Sequence, residues 1–280
     1  MNWIKIKRKI RYIWFSWQSY PQLKPSTEEI DVVIPVIAKD LQILPLCLKG
    51  IRHCVANKVK DIYIVAPAQQ EILTFCEENG LVFVDETSLF GYTPMSLGII
   101  ANDGRNRSGW LFQQFVKLSG QIGTCRYYLC IDSDHVLIRP HVFLTGKKET
   151  VFYLSYEENS YYYDMIHRIL PELNILNLSY VSHKMLFDKK QVLLLQETIS
   201  KNCGGTPWQQ AIIENLDLRT ISGFSEFETY GNFVQEKILR PWMQKRLSYK
   251  KIKDYDTLRK KYGGSRWSLT FPDYMQYNKN

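Results

Sequence analysis

Two acidic residues that follow an apolar segment are the clearest chemical feature of the sequence. Asp132 and Asp134, separated by Ser133, come directly after residues 127–131, which read Tyr-Tyr-Leu-Cys-Ile. Such a run predicts a strand buried on both faces, and ligands of open α/β sheets bind at the carboxyl ends of the strands. Mg²⁺ and Mn²⁺ prefer carboxylate oxygens and complete their coordination with water and substrate phosphates. The pair therefore predicts a divalent metal site that neutralises a leaving diphosphate, the alternative being ordinary polar residues at a strand end.

The same acidic spacing occurs a second time, at Asp254 and Asp256. Lysines surround this copy and no apolar segment precedes it. That context is typical of a solvated charged loop. We therefore assign the metal to the first copy.

Strand and helix patterns alternate around the first copy. Four short apolar runs predict buried strands: residues 31–37, 62–66, 81–84 and 127–131. Three segments with helical spacing of apolar residues lie between them: residues 41–55, 69–78 and 109–118. This alternation predicts an α/β fold with a mainly parallel central sheet and helices on both of its faces. Residues 85–108 form a polar connection that is longer than a simple link requires, which indicates a functional or mobile loop.

The pattern is less regular beyond residue 140. Strand-like segments (151–155 and 180–187) mix with helical ones (189–201 and 207–215). We therefore divide the chain into a basic, aromatic N-terminal segment, a catalytic domain and a basic C-terminal segment: residues 1–28, 29–240 and 241–280. The catalytic domain is expected to have a nucleotide-binding half over about residues 29–140 and a less regular acceptor half over about residues 141–240.

Composition limits the cellular setting that we expect. The 280 residues are 45% hydrophobic, which is enough for a large folded core. The six cysteines include no Cys-x-x-Cys pair, and no segment has 18 consecutive apolar residues. These features favour reduced thiols and a cytoplasmic protein without a membrane span.

Positive charge is concentrated at the two ends of the chain. Residues 1–24 contain six basic residues and no acidic one, while residues 237–261 contain ten basic residues and two acidic ones. In residues 3–17 the cations alternate with bulky aromatic and aliphatic residues, as in segments that lie in the headgroup region of a membrane. No zinc-finger, RNP-like or helix-turn-helix signature accompanies this charge, which argues against nucleic acid as a partner. We expect peripheral binding to an anionic membrane at its inner face, with solubilising ends as the alternative.

Four blocks of sequence together resemble the GT-A glycosyltransferases, and most closely a poorly characterised bacterial branch linked to surface-polysaccharide synthesis. The blocks are residues 31–36, 107–118, 127–134 and 225–231. The resemblance spans about residues 30–240. It implies a Rossmann-like enzyme that uses Mn²⁺ or Mg²⁺ to transfer a sugar from a nucleotide-diphosphate donor to a glycan or lipid-linked acceptor.

The resemblance also implies a donor site and a metal site. The donor site would comprise Pro35, Val36, Arg105, Arg107, Gln114, Lys117, Asp132 and Ser133. The metal would be held by Asp134 with Asp132. His183 is the last histidine of the chain and is the candidate for a further ligand, the alternatives being water or the diphosphate itself. A plain solvated helix face is the alternative for Gln114 and Lys117.

Two glutamates are candidates for the catalytic base. An inverting transferase needs one carboxylate to take the proton of the acceptor hydroxyl, and Glu226 or Glu228 can supply it. Residues spaced by two share a face on a strand but diverge on a helix, so only one need be catalytic; a charge role at a helix N-terminus is the alternative. Trp208 and Tyr230 are candidate platforms for the acceptor sugar, with core packing as the alternative.

Two other functions remain open at this stage. A sugar nucleotidyltransferase shares the fold type and the metal, but it carries a glycine-rich loop after the first strand, where this chain has residues 37–40, Ile-Ala-Lys-Asp. The other is an inactive, membrane-associated scaffold that retains the fold. The resemblance leaves both inversion and retention possible.

Overall fold

The computed structural model describes residues 3–157, 159–273 and 275. The helices are α1 (Trp3–Trp17), α2 (Leu44–Cys54), α3 (Gln70–Asn79), α4 (Ser108–Lys117), α5 (Ser160–Ile169), α6 (Lys189–Asn202), α7 (Trp208–Glu214), α8 (Glu226–Phe233) and α9 (Tyr255–Tyr262). The strands are β1 (Ile30–Pro35), β2 (Val59–Ala66), β3 (Val82–Asp85), β4 (Tyr127–Ile131), β5 (His135–Leu137), β6 (Thr150–Leu154), β7 (Lys184–Asp188), β8 (Lys237–Pro241), β9 (Gln244–Arg246) and β10 (Ser268–Thr270).

The central sheet has five strands in the order β3-β2-β1-β4-β7. All pairs are parallel except the last, in which β7 runs antiparallel to β4. All six residues of β1 are buried, as the near-continuous apolar run predicted. The prediction of an α/β fold with a mainly parallel sheet is confirmed.

Helices cover both faces of this sheet because alternate strand residues point in opposite directions. Val33 belongs to one buried apolar cluster together with Phe112 and Phe115 of α4. Its neighbours Val32 and Ile34 belong to the other cluster, which includes residues of α2 and α3. The two clusters fix the sheet between two layers of helices.

Several predicted boundaries differ from the structure, and the differences at β1 and β7 illustrate the causes. The strand predicted over residues 180–187 begins only at Lys184, because His183 has a left-handed backbone (φ 59°) that interrupts an extended chain. The first strand ends at Pro35 and is followed by a short 3-10 helix, Ala38–Gln42, that turns the chain toward α2. The connection predicted over residues 85–108 contains two further 3-10 turns, Glu86–Ser88 and Pro94–Leu97, and otherwise lacks regular structure.

The described part of the C-terminal segment is built into the domain. β10 pairs antiparallel with β5, which directly follows the acidic pair, and parallel with β9. Trp242 is 2% exposed and donates a hydrogen bond to Ser268 Oγ at 2.8 Å. On the other side of β5, α2 approaches so closely that a Cβ at Gly50 would lie 2.8 Å from the Leu137 backbone. The proposed boundary at residue 240 therefore does not coincide with a break in the structure.

The N-terminal helix α1 is held on the same body by hydrogen bonds from two buried residues, one of which, Tyr12, also belongs to an apolar core cluster. Arg8 is 4% exposed and donates to the Glu157 carbonyl at 2.9 Å and to Tyr163 Oη at 2.5 Å. Tyr12 is also buried and donates to the Trp242 carbonyl. None of the helices within residues 3–157, 159–273 and 275 combines the length and the apolar character that crossing a bilayer requires.

Candidate active site

The acidic pair lies at the point of the central sheet where the order of strand addition changes from one side of β1 to the other. From β1 the chain adds strands first on one side, as β2 and β3, and later on the other side, as β4. The loops that leave the carboxyl ends of β1 and β4 therefore diverge, and a crevice opens between them. Pro35 and Asp40 line this crevice from the β1 side, and Asp132, Ser133 and Asp134 line it from the β4 side.

The crevice is a cleft of about 340 Å³. Further walls come from α4, through Gln114 and Lys117, and from the start of α8, through Glu226. His183, just before β7, closes one side. The cleft therefore brings together most of the predicted donor residues, the predicted metal ligands and one of the two candidate bases.

Lys117 forms ion pairs with Asp132 after β4 and with Glu226 at the start of α8. Its Nζ lies 2.6 Å from Asp132 Oδ1 and 2.7 Å from Glu226 Oε1, and its side chain is 8% exposed. Burial disfavours the charged amine, but the two carboxylates outweigh it and hold the pKa of Lys117 well above its usual value. Lys117 is thus a buried cation shared by two carboxylates, not part of a solvated helix face.

His183 is a partner of Asp132. Its Nδ1 lies 2.9 Å from Asp132 Oδ2, and the Asp132 backbone N–H donates to the His183 carbonyl at 3.0 Å. Burial opposes protonation of the imidazole, yet the adjacent Asp132 carboxylate raises its pKa. Burial likewise opposes ionisation of Asp132, but Lys117 and His183 hold its pKa well below its usual range. Both oxygens of Asp132 therefore already have a cationic or N–H partner.

Asp134 is in a different electrostatic position. Burial is the largest influence on it, and the charges of Asp132 and Asp40 add to that effect, so that its pKa rises to about 6 despite the opposing charge of His183. Burial also raises the pKa of Asp40, whose Oδ2 accepts hydrogen bonds from Ser133 Oγ (2.9 Å) and the Ile37 N–H (3.2 Å). A cation beside Asp134 would favour its ionised form.

Gln114 contacts the start of α8 from the wall of the cleft. Its Oε1 accepts a hydrogen bond from the backbone N–H of Glu226 at 3.2 Å. Its Nε2 is buried and has no hydrogen-bond partner among the described residues. This amide donor at the cleft wall is therefore available to a bound polar group.

Three of the predicted donor residues do not line the cleft. Arg105 is exposed and pairs with Asp103, 2.5 Å away, in the long loop. Arg107 donates to the Ile221 carbonyl at 2.6 Å, and its guanidinium lies 4.7 Å from the centre of the Trp110 ring. Val36 is buried in the apolar cluster on the α2 side of the sheet.

The two candidate glutamates diverge because they lie on a helix. Ser225 caps α8 by accepting the Glu228 N–H at 3.3 Å, so that Glu226 and Glu228 occupy its first turn. Glu226 faces Lys117 in the cleft. Glu228 is 1% exposed and accepts a hydrogen bond from Ser179 Oγ at 2.5 Å, beside a separate small cavity of about 230 Å³. The structure therefore leaves only Glu226 in a position to act on a ligand of the cleft.

The two predicted sugar platforms pack elsewhere. Tyr230 is fully buried, its ring centre lies 4.5 Å from that of Phe187, and its hydroxyl accepts the Asp188 N–H. The prediction for Tyr230 is wrong, because a ring inside the core offers no face to a sugar. Trp208 packs edge-to-face on Phe115 at 5.3 Å and does not line the cleft.

Comparison with known proteins places the chain in a family. The model of a family of unknown function, DUF6492, matches residues 27–257. The chain belongs to this family. No curated protein matches the sequence. The family description assigns no activity.

Several solved structures are distantly similar to this DUF6492 protein. Mouse xyloside xylosyltransferase 1, in its apo form, is 10% identical over 88% of this chain and 98% of its own, with a TM-score of 0.48. The galactosyltransferase LgtC, in complex with donor and acceptor sugar analogues, is 11% identical over 86% and 87%, with a TM-score of 0.43. Glucosyl-3-phosphoglycerate synthase from Mycobacterium tuberculosis, in complex with Mn²⁺, UDP and glucosyl-3-phosphoglycerate, is 15% identical over 60% and 59%, with a TM-score of 0.36. Similarity this distant carries no argument about activity.

The side chains of the DUF6492 cleft could bind a metal ion only if substrate phosphate or water completed its coordination. Within the described residues, no group of three or more His, Cys, Asp or Glu side chains is arranged to hold a metal ion. Burial raises the pKa of Asp134 to about 6 although the charge of His183 opposes the rise, whereas Asp132 already has two partners. His183 turns its Nδ1 to Asp132, and its Nε2 is buried without a partner among the described residues. A divalent ion in this cleft would therefore depend on Asp134 together with substrate phosphate and water.

One residue of the second acidic pair of the DUF6492 chain, Asp254, has a structural role. Asp254 is the N-cap of α9 and accepts the Thr257 N–H at 2.9 Å. It lies outside the residues that line the cleft. The preference for the first pair, made on sequence context, agrees with this placement.

Sequence reasoning missed several polar residues of the cleft, among them Asp40, Tyr249 and Asp273. Asp40 follows β1 by five residues, and its position beyond a central strand was a usable signal. Tyr249 and Asp273 line the cleft from the C-terminal segment. They reach it because β10 pairs with β5, a long-range contact that has no local signature in the sequence.

Proposed function

We propose that this DUF6492 protein is a GT-A glycosyltransferase that transfers a sugar from a nucleotide-diphosphate donor to a glycan or lipid-linked acceptor. The observation that carries the proposal is the acidic pair at the topological switch point, facing a cleft that also holds a buried Lys117 and Glu226. Diphosphate chemistry needs positive charge, and an acceptor hydroxyl needs a base; the cleft contains residues for both tasks.

The donor would lie across the carboxyl ends of β1 and β4. Pro35 would contact the nucleoside, and Ser133 with the unpartnered Gln114 Nε2 would bind polar groups of the donor. Asp134 would hold Mn²⁺ or Mg²⁺ together with the diphosphate. When bound, that ion would neutralise the charge that develops on the departing nucleoside diphosphate.

Lys117 and His183 organise the acidic end of the cleft. Because they pair with the two oxygens of Asp132, they keep its carboxylate ionised and fixed in orientation. An oriented carboxylate can accept hydrogen bonds from hydroxyl groups of the donor sugar. We assign Asp132 this positioning role next to the donor.

Glu226 would act as the base. In the transfer step the acceptor oxygen would form a bond to the anomeric carbon as the bond to the diphosphate breaks, and the acceptor proton would pass to a carboxylate oxygen of Glu226. The Lys117 ammonium, 2.7 Å from Glu226 Oε1, would hold that carboxylate in a fixed position before the acceptor arrives. A single base of this kind suits inversion at the anomeric carbon.

The rival functions predict different behaviour. A nucleotidyltransferase would form the nucleotide sugar from a nucleoside triphosphate and a sugar phosphate, and the segment after β1 here is a 3-10 helix without glycine. An inactive scaffold would release no nucleoside diphosphate from any nucleotide sugar. We also propose, as the setting for lipid-linked acceptors, a peripheral location on the inner face of the cell membrane in polysaccharide or glycolipid synthesis.

The proposal is tested by measuring nucleoside diphosphate release from a panel of nucleotide sugars with Mn²⁺ or Mg²⁺. We expect at least one donor to be turned over by the full chain. Asp134→Asn should reduce this turnover by about 100- to 1000-fold, because it removes charge at the diphosphate with little change in volume. Asp254→Asn is the matched control: it makes the same change in the second pair, where asparagine is an equally good N-cap, and should leave turnover unchanged.

Two outcomes would contradict the proposal. Equal turnover by Asp134→Asn and the wild type would remove the role assigned to the acidic pair. Failure to turn over or bind any nucleotide sugar, by protein shown to be folded, would favour the scaffold.

A further inference from the structure

The N-terminal helix α1 exposes most of its large apolar side chains instead of burying them against the body. Its most buried residues are Arg8 and Tyr12, both less than 5% exposed, and Phe15 packs against the apolar cluster that includes Tyr12. Its largest apolar side chains point outward: Trp3 (66% exposed), Ile10 (62%), Trp14 (65%) and Trp17 (81%). We call these four residues the α1 stripe. Their spacing of three, four and seven residues places them along one face of the helix, opposite the two residues that dock it.

A groove opens beside the stripe, between α1 and the body. Its volume is about 460 Å³, and Tyr12 and Trp242 contribute aromatic surface to it. Three cationic side chains line it: Lys9 from α1, Arg246 from β9 and Arg266 from the segment before β10. We call this cavity the α1 groove.

Among the described residues, cations outnumber carboxylates in the α1 groove. Glu157 is the one carboxylate among the described residues that line it, and it is paired with Arg246. No carboxylate of the described residues lies within salt-bridge distance of Lys9 or Arg266. An anion in the groove would therefore meet two cations whose charge is not already neutralised.

The groove and the stripe share an edge on α1. Ile13 lines the groove and is 38% exposed. On a helix it is a neighbour of Ile10, three residues before it, and of Trp17, four residues after it. A surface that receives the apolar stripe would consequently lie next to the mouth of the cationic groove.

We propose that the α1 groove binds the phosphate group of an anionic phospholipid while the α1 stripe inserts into the same leaflet of the bilayer. The combination of exposed tryptophans with adjacent cations fits a membrane interface, where indole rings lie at the headgroup level and cations meet lipid phosphates. Nucleic acid would satisfy the cations but would leave the stripe in water. A second copy of the chain would place like charges against one another.

The proposed site is more specific than a general attraction between a basic protein and a membrane, because it involves particular cations. Lys250, Lys251 and the cations of α9 are also exposed, but they do not line the α1 groove. We therefore expect the contribution of a cation to membrane binding to depend on its position and not only on the total charge. It holds whether or not the protein transfers sugars.

The test is co-sedimentation of the full chain with vesicles of phosphatidylcholine alone or with added phosphatidylglycerol, at fixed salt. The double variant Lys9→Gln with Arg266→Gln should weaken binding to the anionic vesicles by about 10- to 30-fold, since each cation near the surface contributes to binding. The matched control removes the same charge from α9, as Arg259→Gln with Lys260→Gln, and should change binding by less than about 3-fold. Trp14→Ala with Trp17→Ala should weaken binding to both kinds of vesicle.

Three results would overturn the proposal. An equal loss of binding in the groove and α9 variants would reduce the effect to diffuse charge. Equal binding of the wild type to neutral and anionic vesicles would remove the phosphate site. Wild-type protein that binds neither vesicle but binds a DNA oligonucleotide or self-associates at the same salt would identify a different partner. Thermal unfolding of every variant shows whether it is folded, so that lost binding is not confused with lost structure.

Discussion

Glu228 provides a sharp test of the electrostatics of this fold, because it is a buried carboxyl group that is not paired with a cation. It is 1% exposed, and its Oε1 accepts hydrogen bonds from Ser179 (2.5 Å) and more weakly from Tyr163 (3.4 Å). Burial raises its pKa to about 7, although the Ser179 hydrogen bond and the charge of Arg8 oppose the rise. The ordinary value for this group is 4.5.

The sign of the effect on stability follows from proton binding. Between pH 4.5 and 7 the folded protein holds a proton on Glu228 that the unfolded chain has lost, so stability falls as the pH rises through this range. The difference of about 2.5 pKa units corresponds to about 3 kcal/mol when it is fully developed. Glu228→Gln removes the titration while keeping the size of the side chain. The variant should exceed the wild type in free energy of unfolding by about 1 kcal/mol at pH 5 and by about 3 kcal/mol at pH 8.5.

Urea unfolding across this pH range measures the difference. Glu78→Gln, which removes an exposed carboxylate from α3, is the control and should shift stability by less than about 0.5 kcal/mol. A difference between Glu228→Gln and the wild type that does not grow with pH would refute the reasoning. So would a variant less stable than the wild type at pH 8.5, since it would mean that the folded protein holds Glu228 ionised without cost.

Two further predictions concern packing and the buried cation. Gly231→Ala should lower the free energy of unfolding by about 1–3 kcal/mol, because the new Cβ would lie 2.4 Å from Cγ of Tyr180. Gly146→Ala is the control, since no atom lies within 4 Å of its new Cβ. Equal stability of the two variants would contradict the clash. Lys117→Met should lower the free energy of unfolding at pH 7 by about 3–5 kcal/mol, because it leaves the carboxylates of Asp132 and Glu226 buried without their cation. Stability within about 1 kcal/mol of the wild type, measured by urea unfolding, would show that solvent already screens this network.

The first half of the domain, about residues 29–140, could be predicted from the sequence because its signals are local. Strands β1, β2, β3 and β4 are short apolar runs, and α2, α3 and α4 have helical apolar spacing, so each element is legible within its own residues. The position of Asp132 and Asp134 at the end of a central strand followed from the same reading. The capping serine at residue 225 likewise explains why the glutamates that follow it diverge on a helix.

The parts that could not be predicted depend on contacts distant in sequence. Nothing local indicates that β10 pairs with β5 or that Asp273 reaches the cleft. Aromatic residues were equally ambiguous: Tyr230 has the composition of a sugar platform but lies in the core, because its neighbours on α8 and β7 enclose it. Buried and exposed roles of one residue type differ only in tertiary packing.

The candidate site was predicted in its acidic part and incompletely elsewhere. Lys117 was expected near the donor, but its pairing with both Asp132 and Glu226 required two segments more than 100 residues apart to meet. The left-handed backbone at His183, which interrupts the predicted strand, had no signal either. Residues with φ > 0 that are not glycine occur where surrounding contacts hold them, and those contacts come from the complete fold.

The central claim, that the acidic pair binds a nucleotide diphosphate together with a divalent cation, is tested most directly by ligand binding. Thermal unfolding of the wild type and of Asp134→Asn would be followed with a panel of nucleotide sugars, with and without Mn²⁺. We expect at least one nucleotide to stabilise the wild type in the presence of Mn²⁺, by about 3 kcal/mol at a concentration 100 times its Kd, and we expect Asp134→Asn to lose this stabilisation. Stabilisation of equal size in the variant, or none by any nucleotide in the wild type, would contradict it.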